Sequence, residues 1–157
     1  MSNQLPTDYQ AFIHKSRYAK YFDGKGRESW GETVERYMDN VVRKALGNEV
    51  DRIVNNNEVY DLEQAILGQE IMPSMRAMMT AGPALDRDNT AGYNCSYLPV
   101  DDPKSFDEAM YILLCGTGVG FSVERQFIKK LPEIPELFDS ESTVVVKDSK
   151  EGWAKGF

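Results

Sequence analysis

The sequence holds one histidine, His14, and two cysteines, Cys95 and Cys115. Two cysteines are too few for a disulfide scaffold, and these three residues stand in no ligand-like spacing for a metal. No run of about 18 apolar residues occurs, so no transmembrane helix and no membrane partner are expected. The opening MSNQLPTDYQ has no basic flank and no apolar core, unlike a secretory signal. The reading is a cytoplasmic protein with free thiols. Positive charge is scarce as well: 18 Lys and Arg stand against 25 Asp and Glu, a net charge of −7. That balance, with no basic stripe, argues against nucleic acid as a partner. It leaves room for a local phosphate site made of backbone N–H groups. There is no internal repeat, no low-complexity tract and no P-loop. Neither a Ser-His-Asp set nor a paired-carboxylate motif is present.

What is there has the balance of a globular chain. Of 157 residues, 41% are hydrophobic and 27% charged, enough for one domain with a real core. Length alone does not show that the chain is complete. The first 26 residues are polar and aromatic, and DGKG at 23–26 reads as a turn. Ser29 followed by Glu32 is a capping box. Behind it, Trp30, Val34, Tyr37, Met38, Val41, Val42, Ala45 and Leu46 fall on one helical face, and Gly47 ends the pattern. A second helix is expected over 58–67, with Val59, Leu62, Ala65 and Ile66 on one side. The methionine-rich IMPSMRAMMTAG at 71–82 reads as adaptable core packing.

The stretch 84–100 is turn-rich and then extended, with a strand expected over 93–100. A third helix begins at a second capping box, Ser105 and Glu108, and its apolar residues lie on nearly all sides, which implies burial. The glycine turn GTGVGFSV at 116–123 leads into another strand. A last strand is expected over 143–146. A helix start follows at Ser149.

The turn GTGVGFS invites a nucleotide reading. A dinucleotide fingerprint needs strand, glycine turn and then helix, with G-x-G-x-x-G spacing. Here the order is helix, turn, strand and the spacing is G-x-G-x-G, so that site is rejected. A tight helix-to-strand turn remains one reading of these glycines, and close approach to a ligand the other. Cys95, in YNCSY, is either a small buried residue or a reactive thiol. Cys115 closes the third helix and reads as packing. His14 reads as structural.

Four segments taken together resemble a known family: RESWGETVERYMDN, IMPSMRAMMTAG, AGYNCSYLPVDDPKSFDEAMYILLCGTGVGFSVER and VVVKDSKEGWAKGF. In this order and spacing they are similar to the N-terminal part of an adenosylcobalamin-dependent (class II) ribonucleotide reductase, of the monomeric triphosphate-reducing type. The resemblance implies an α+β chain: an N-terminal helical region over 1–70, then over 71–157 the first strands and helices of an incomplete ten-stranded α/β barrel. It implies that Cys95 is one of two thiols that reduce the substrate, because loss of the ribose 2′-hydroxyl is matched by two electrons from a closing disulfide. It implies substrate contacts at Pro73, Ser74 and Asn94, and at the turn carrying Gly116, Gly118 and Gly120. Related sequences often carry Thr where this chain has Met72, and Cys115 has no role in the family pattern.

The implied cofactor is adenosylcobalamin, bound by the complete enzyme at a place not assignable here. The implied partners are a ribonucleotide, the C-terminal remainder of the reductase and a thiol reductant such as thioredoxin. The radical cysteine and second reducing cysteine would lie beyond residue 157, so this chain alone is expected to be inactive. An open barrel leaves edges and a core face uncovered, so poor solubility, oligomerisation or need of the missing part is also expected. A standalone nucleotide-binding or reductase-binding regulator is the alternative reading.

Overall fold

The computed structural model describes residues 5–47 and 56–157. It is a mixed helix and strand chain of the α+β kind, in two compact units, Met1–Gly92 and Tyr93–Phe157. The reading above divided the chain at 70/71; the contacts divide it at Gly92/Tyr93.

In the first unit, α1 (Asp8–Ile13) starts at Thr7, whose hydroxyl accepts from the Gln10 N–H, and runs into a π-wound turn, His14–Tyr18. A short hairpin follows, β1 (Tyr21–Phe22) against β2 (Gly26–Arg27), closed by the DGKG turn. The capping box is present in full: the Ser29 hydroxyl accepts from the Glu32 N–H, and the Glu32 carboxylate accepts from the Ser29 N–H. It opens α2 (Trp30–Tyr37), which continues through a π-wound stretch, Met38–Arg43, into α3 (Lys44–Leu46).

Winding explains which apolar positions are used. Trp30, Val34 and Met38 are buried, and Val42 and Leu46 pack against them, a stripe of pure i+4 spacing. In an α-helix such a stripe drifts around the axis; the wider i+5 turns of the π-wound stretch turn it back. Ala45, expected on this face, is exposed.

Helix α4 (Asn56–Leu67) places Val59 and Ile66 in the same core, and the Trp30 indole donates to the Leu67 carbonyl at 3.1 Å. Each such buried side chain contributes roughly 1.5–3 kcal/mol. Helix α5 (Met75–Thr80) adds Met78, which is fully buried. Met72 and Met75 are about half exposed, so the packing reading holds for Met78 and not for those two. The stretch read as turn-rich contains a helix, α6 (Pro83–Arg87), with proline in its first turn, and a 3₁₀ turn, Asn89–Gly92.

The second unit is built on one β-α-β crossover. Strand β3 (Cys95–Pro99) and strand β4 (Gly118–Ser122) run parallel, joined by α7 (Lys104–Leu114). Ser105 is not the cap of α7. The helix starts one residue earlier, and the Ser105 hydroxyl donates to the Pro99 carbonyl at 3.1 Å. Nor is α7 buried all round: Phe106, Leu113 and Leu114 are exposed, and with Val119 and Phe121 they line an open groove of about 720 Å³.

After α8 (Arg125–Ile128) the backbone of 132–147 forms no helix or strand, so the strand expected over 143–146 is absent. Four β-branched residues favour extension, but a strand also needs a partner edge, and Val144 and Val145 are exposed instead. Helix α9 (Lys150–Gly156) then starts where expected, with the Ser149 hydroxyl accepting from the Gly152 N–H. An alanine methyl at Gly152 would lie 2.3 Å from the Lys147 carbonyl oxygen, so only glycine fits this turn. No helix among the described residues is long and apolar enough to cross a membrane.

Candidate functional site

Cys95 is a free, exposed thiol at the first position of β3. Strand alternation puts Cys95, Tyr97 and Pro99 on one face of the pair. Their register partners on β4 are Gly118, Gly120 and Ser122. The thiol therefore faces a neighbouring strand whose two nearest residues on that side carry no side chain.

Those glycines are not dictated by crowding. A methyl at Gly118 would meet the Asn94 carbonyl oxygen at 3.4 Å, and one at Gly120 the Ser96 carbonyl oxygen at 3.6 Å, both ordinary contacts. Glycine inside a strand otherwise weakens it. What the two glycines provide is open space along the thiol's face. Gly120→Ala is therefore expected to leave thermal unfolding of the chain within about 1 kcal/mol of wild type. Melting curves check it.

The turn that delivers this strand is firmly held. Gly116 has φ +84°, the left-handed region that ends helices. Thr117 is buried and its hydroxyl donates to the Tyr93 carbonyl at 2.9 Å. The Gly118 N–H donates to the Asn94 carbonyl at 2.9 Å, and the Ser96 hydroxyl donates to the Gly118 carbonyl at 3.0 Å. These bonds fix the ends of both strands around Cys95. The order helix, glycine turn, strand is as read from the sequence, and no helix N-terminus follows the turn.

The structure thus brings Asn94, Cys95, Gly118 and Gly120 together, with Gly116 in the turn that delivers β4. The Asn94 main chain takes part through its carbonyl, and its side chain is exposed. Pro73 and Ser74 belong to the first unit, at the head of α5. Ser74 is exposed, and its carbonyl accepts from the Met78 N–H at 3.0 Å while its hydroxyl makes no capping bond. Sequence reasoning passed over Tyr97, exposed on the Cys95 face, and Thr117, the anchor of the turn. The alternation C-x-Y was the available signal for Tyr97. Nothing local marked Thr117.

Cys115 and His14 are both engaged elsewhere. The Lys150 ammonium donates to the Cys115 sulfur at 3.3 Å. His14 is buried, its Nε2 lies 2.8 Å from the Thr33 hydroxyl, and its ring meets Trp30 edge-on at 5.6 Å. Burial first, and then the Lys15 charge, hold this imidazole below its ordinary pKa. Among the described residues no group of three or more His, Cys, Asp and Glu is gathered to hold a metal.

Sequence comparison supplies relatives. The chain is 25% identical over 166 residues to the adenosylcobalamin-dependent ribonucleoside-triphosphate reductase of Lactobacillus acidophilus, covering 88% of this chain and 22% of that protein. It is 29% identical over 173 residues to the protein of the same name from Lacticaseibacillus paracasei, covering 90% of this chain and 22% of the relative. The counterpart in Lactobacillus delbrueckii subsp. bulgaricus is 25% identical over 168 residues. The chain is similar to one segment of ribonucleotide reductases, and spans 22% of the length of these relatives. No family model and no solved structure matches it.

Proposed function

We propose that this chain is the N-terminal segment of an adenosylcobalamin-dependent ribonucleotide reductase, and that Cys95 is one of the two thiols that reduce the ribonucleotide. The observation that carries the reading is the exposed Cys95 thiol set against Gly118 in register, beside the equally bare Gly120. Distant similarity to reductases over 88–90% of the chain supports it. In the proposed chemistry, two thiols close a disulfide and release the two electrons that removal of the ribose 2′-hydroxyl requires. Cys95 supplies one sulfur, and a cysteine outside this chain supplies the other. A thiol reductant of the thioredoxin kind would reopen the disulfide.

Gly118 and Gly120 leave space for the sugar along the strand, Gly116 shapes the turn, and Asn94 offers a polar group beside the thiol. Pro73 and Ser74 are substrate contacts on the family resemblance alone. The remaining strands of the barrel would cover the groove lined by α7 and β4. The segment by itself is inactive in this reading.

Adenosylcobalamin supplies radical chemistry where it is bound. The imidazole of His14 is buried and bonded to Thr33, so it is no cobalt ligand. The cofactor is proposed for the whole reductase alone, and no step on this chain runs through it.

The test is the intact mass of the endogenous protein captured with an antibody to this chain. A mass several-fold above 17.8 kDa, or a co-purifying polypeptide that carries the rest of a reductase, supports the proposal. A lone species near 17.8 kDa that binds ribonucleotides or a separate reductase overturns it in favour of a regulator.

A further inference from the structure

In the second unit α9 docks on α7, and the contact sets a lysine against a cysteine. The Lys150 Nζ lies 3.3 Å from the Cys115 sulfur and 4.7 Å from the centre of the Tyr111 ring. Tyr111 and Cys115 are one turn apart at the end of α7, so ring and sulfur flank the same ammonium. The ring face attracts the cation and holds it near the sulfur. Cys115 is half-buried and the Lys150 side chain is 20% exposed, so small oxidants reach a pair that bulk solvent largely does not. The two residues are far apart in sequence, and the segment between them includes the long stretch without helix or strand. A covalent link here would close that loop.

We propose that Cys115 and Lys150 form an oxidative crosslink in which one oxygen atom bridges the lysine nitrogen and the cysteine sulfur. The oxidant is dioxygen, and the reaction balances with lysine in its amine form. One S–H bond, one N–H bond and the O–O bond break; one S–O and one N–O bond form. The second oxygen leaves as water with the two hydrogens. Sulfur and nitrogen each give up two electrons, and dioxygen takes all four. The long, flexible lysine stem supplies the small movement that bond formation needs. Thiol reductants open the link: a thiolate attacks the sulfur, the S–O bond breaks, and the oxygen leaves on the lysine nitrogen as a hydroxylamine. The site is separate from the face that carries Cys95, and the proposal is independent of the reductase reading.

The experiment compares chain purified without oxygen with the same chain held in aerated buffer, by intact mass and peptide mapping. The expected product gains one oxygen and loses two hydrogens per chain. Its Cys115 peptide is joined to its Lys150 peptide, and dithiothreitol separates them. Cys115→Ser and Lys150→Arg each abolish the joined peptide, while Cys95→Ser keeps it. Lys150→Arg retains the positive charge over Tyr111, so its loss of the link is not a folding effect; a matching melting curve verifies that. The proposal is overturned if aerated wild type and Lys150→Arg show the same free Cys115, measured by alkylation. It is equally overturned if Cys115 is found only as a sulfenic or sulfinic acid or in a disulfide.

Discussion

On the function proposed above, Cys95→Ser is expected to lower turnover of the proposed reductase on the order of a thousandfold or more, while leaving the fold of this chain as it is. A hydroxyl cannot close a disulfide, so the two electrons needed at the ribose have no source. The thiol is exposed, and the neighbouring bonds run through the Asn94 carbonyl, the Ser96 hydroxyl and Thr117, none of them through sulfur. Replacement at such a position usually changes stability by no more than about 0.5 kcal/mol. Deoxyribonucleotide formed per enzyme, with Cys115→Ser as the control, is the measurement. Activity of Cys95→Ser within tenfold of wild type would remove Cys95 from the chemistry.

The second large effect belongs to Glu28. Its side chain is 3% exposed, and the carboxylate accepts from Arg36 Nε at 2.6 Å, Arg36 Nη2 at 2.8 Å, the Thr33 hydroxyl at 2.9 Å and the Lys20 N–H at 3.1 Å. Arg36 is thereby aimed, and its Nη1 donates to the carbonyls of Met78 at 2.8 Å and Ala81 at 3.0 Å, at the end of α5. One carboxylate thus ties the segment after α1, helix α2 and helix α5 together. Glu28→Ala leaves the Arg36 charge without its partner in the interior, and a loss of roughly 3–5 kcal/mol is expected. Urea unfolding of the chain at neutral pH measures it; a loss below about 1 kcal/mol would mean that water replaces the pair.

Acidity should act on the same hub. Burial by itself would raise the Glu28 carboxyl. The Arg36 guanidinium, the Lys20 N–H and the Thr33 hydroxyl outweigh it and hold the pKa below 4.5. A carboxyl lowered by folding contributes stability above its unfolded value and loses it as pH falls through the folded one. The imidazole of His14, held below 6.5, binds protons more weakly folded than unfolded, so stability also declines as pH drops from 6.5 toward its folded value. Both groups are expected to cost stability on the acid side, and Glu28→Gln removes the carboxyl's share.

Much of this architecture was legible because it is local. The Ser29 capping box and the stripe from Trp30 to Leu46 announced the longest helical run. Glycines bounded the turn before β4. The parallel pairing of β3 with β4 is long-range, but a strand, helix and strand in succession imply it. What escaped depends on partners distant in sequence. The Glu28 hub joins residues from four separate segments. The Lys150 contact with Cys115 has no periodic signature. The run 143–146 shows propensity without a neighbouring edge, and the faces of α7 show apolarity without a cover. Of the candidate site, Cys95 and its glycines were visible as residues, whereas their register was not.

The π-wound stretch Met38–Arg43 carries a consequence for variation in length. Removing one residue there would return the run to α-winding. Val42 and Leu46 would stay close to the face of Trp30 and Val34, because the six π-wound residues turn through about one α-step less than α-winding would. Substitutions at exposed positions such as Asp39 leave that phase untouched. Relatives that share this core should accept many side chains in this segment, and the loss of one residue far better than the loss of two.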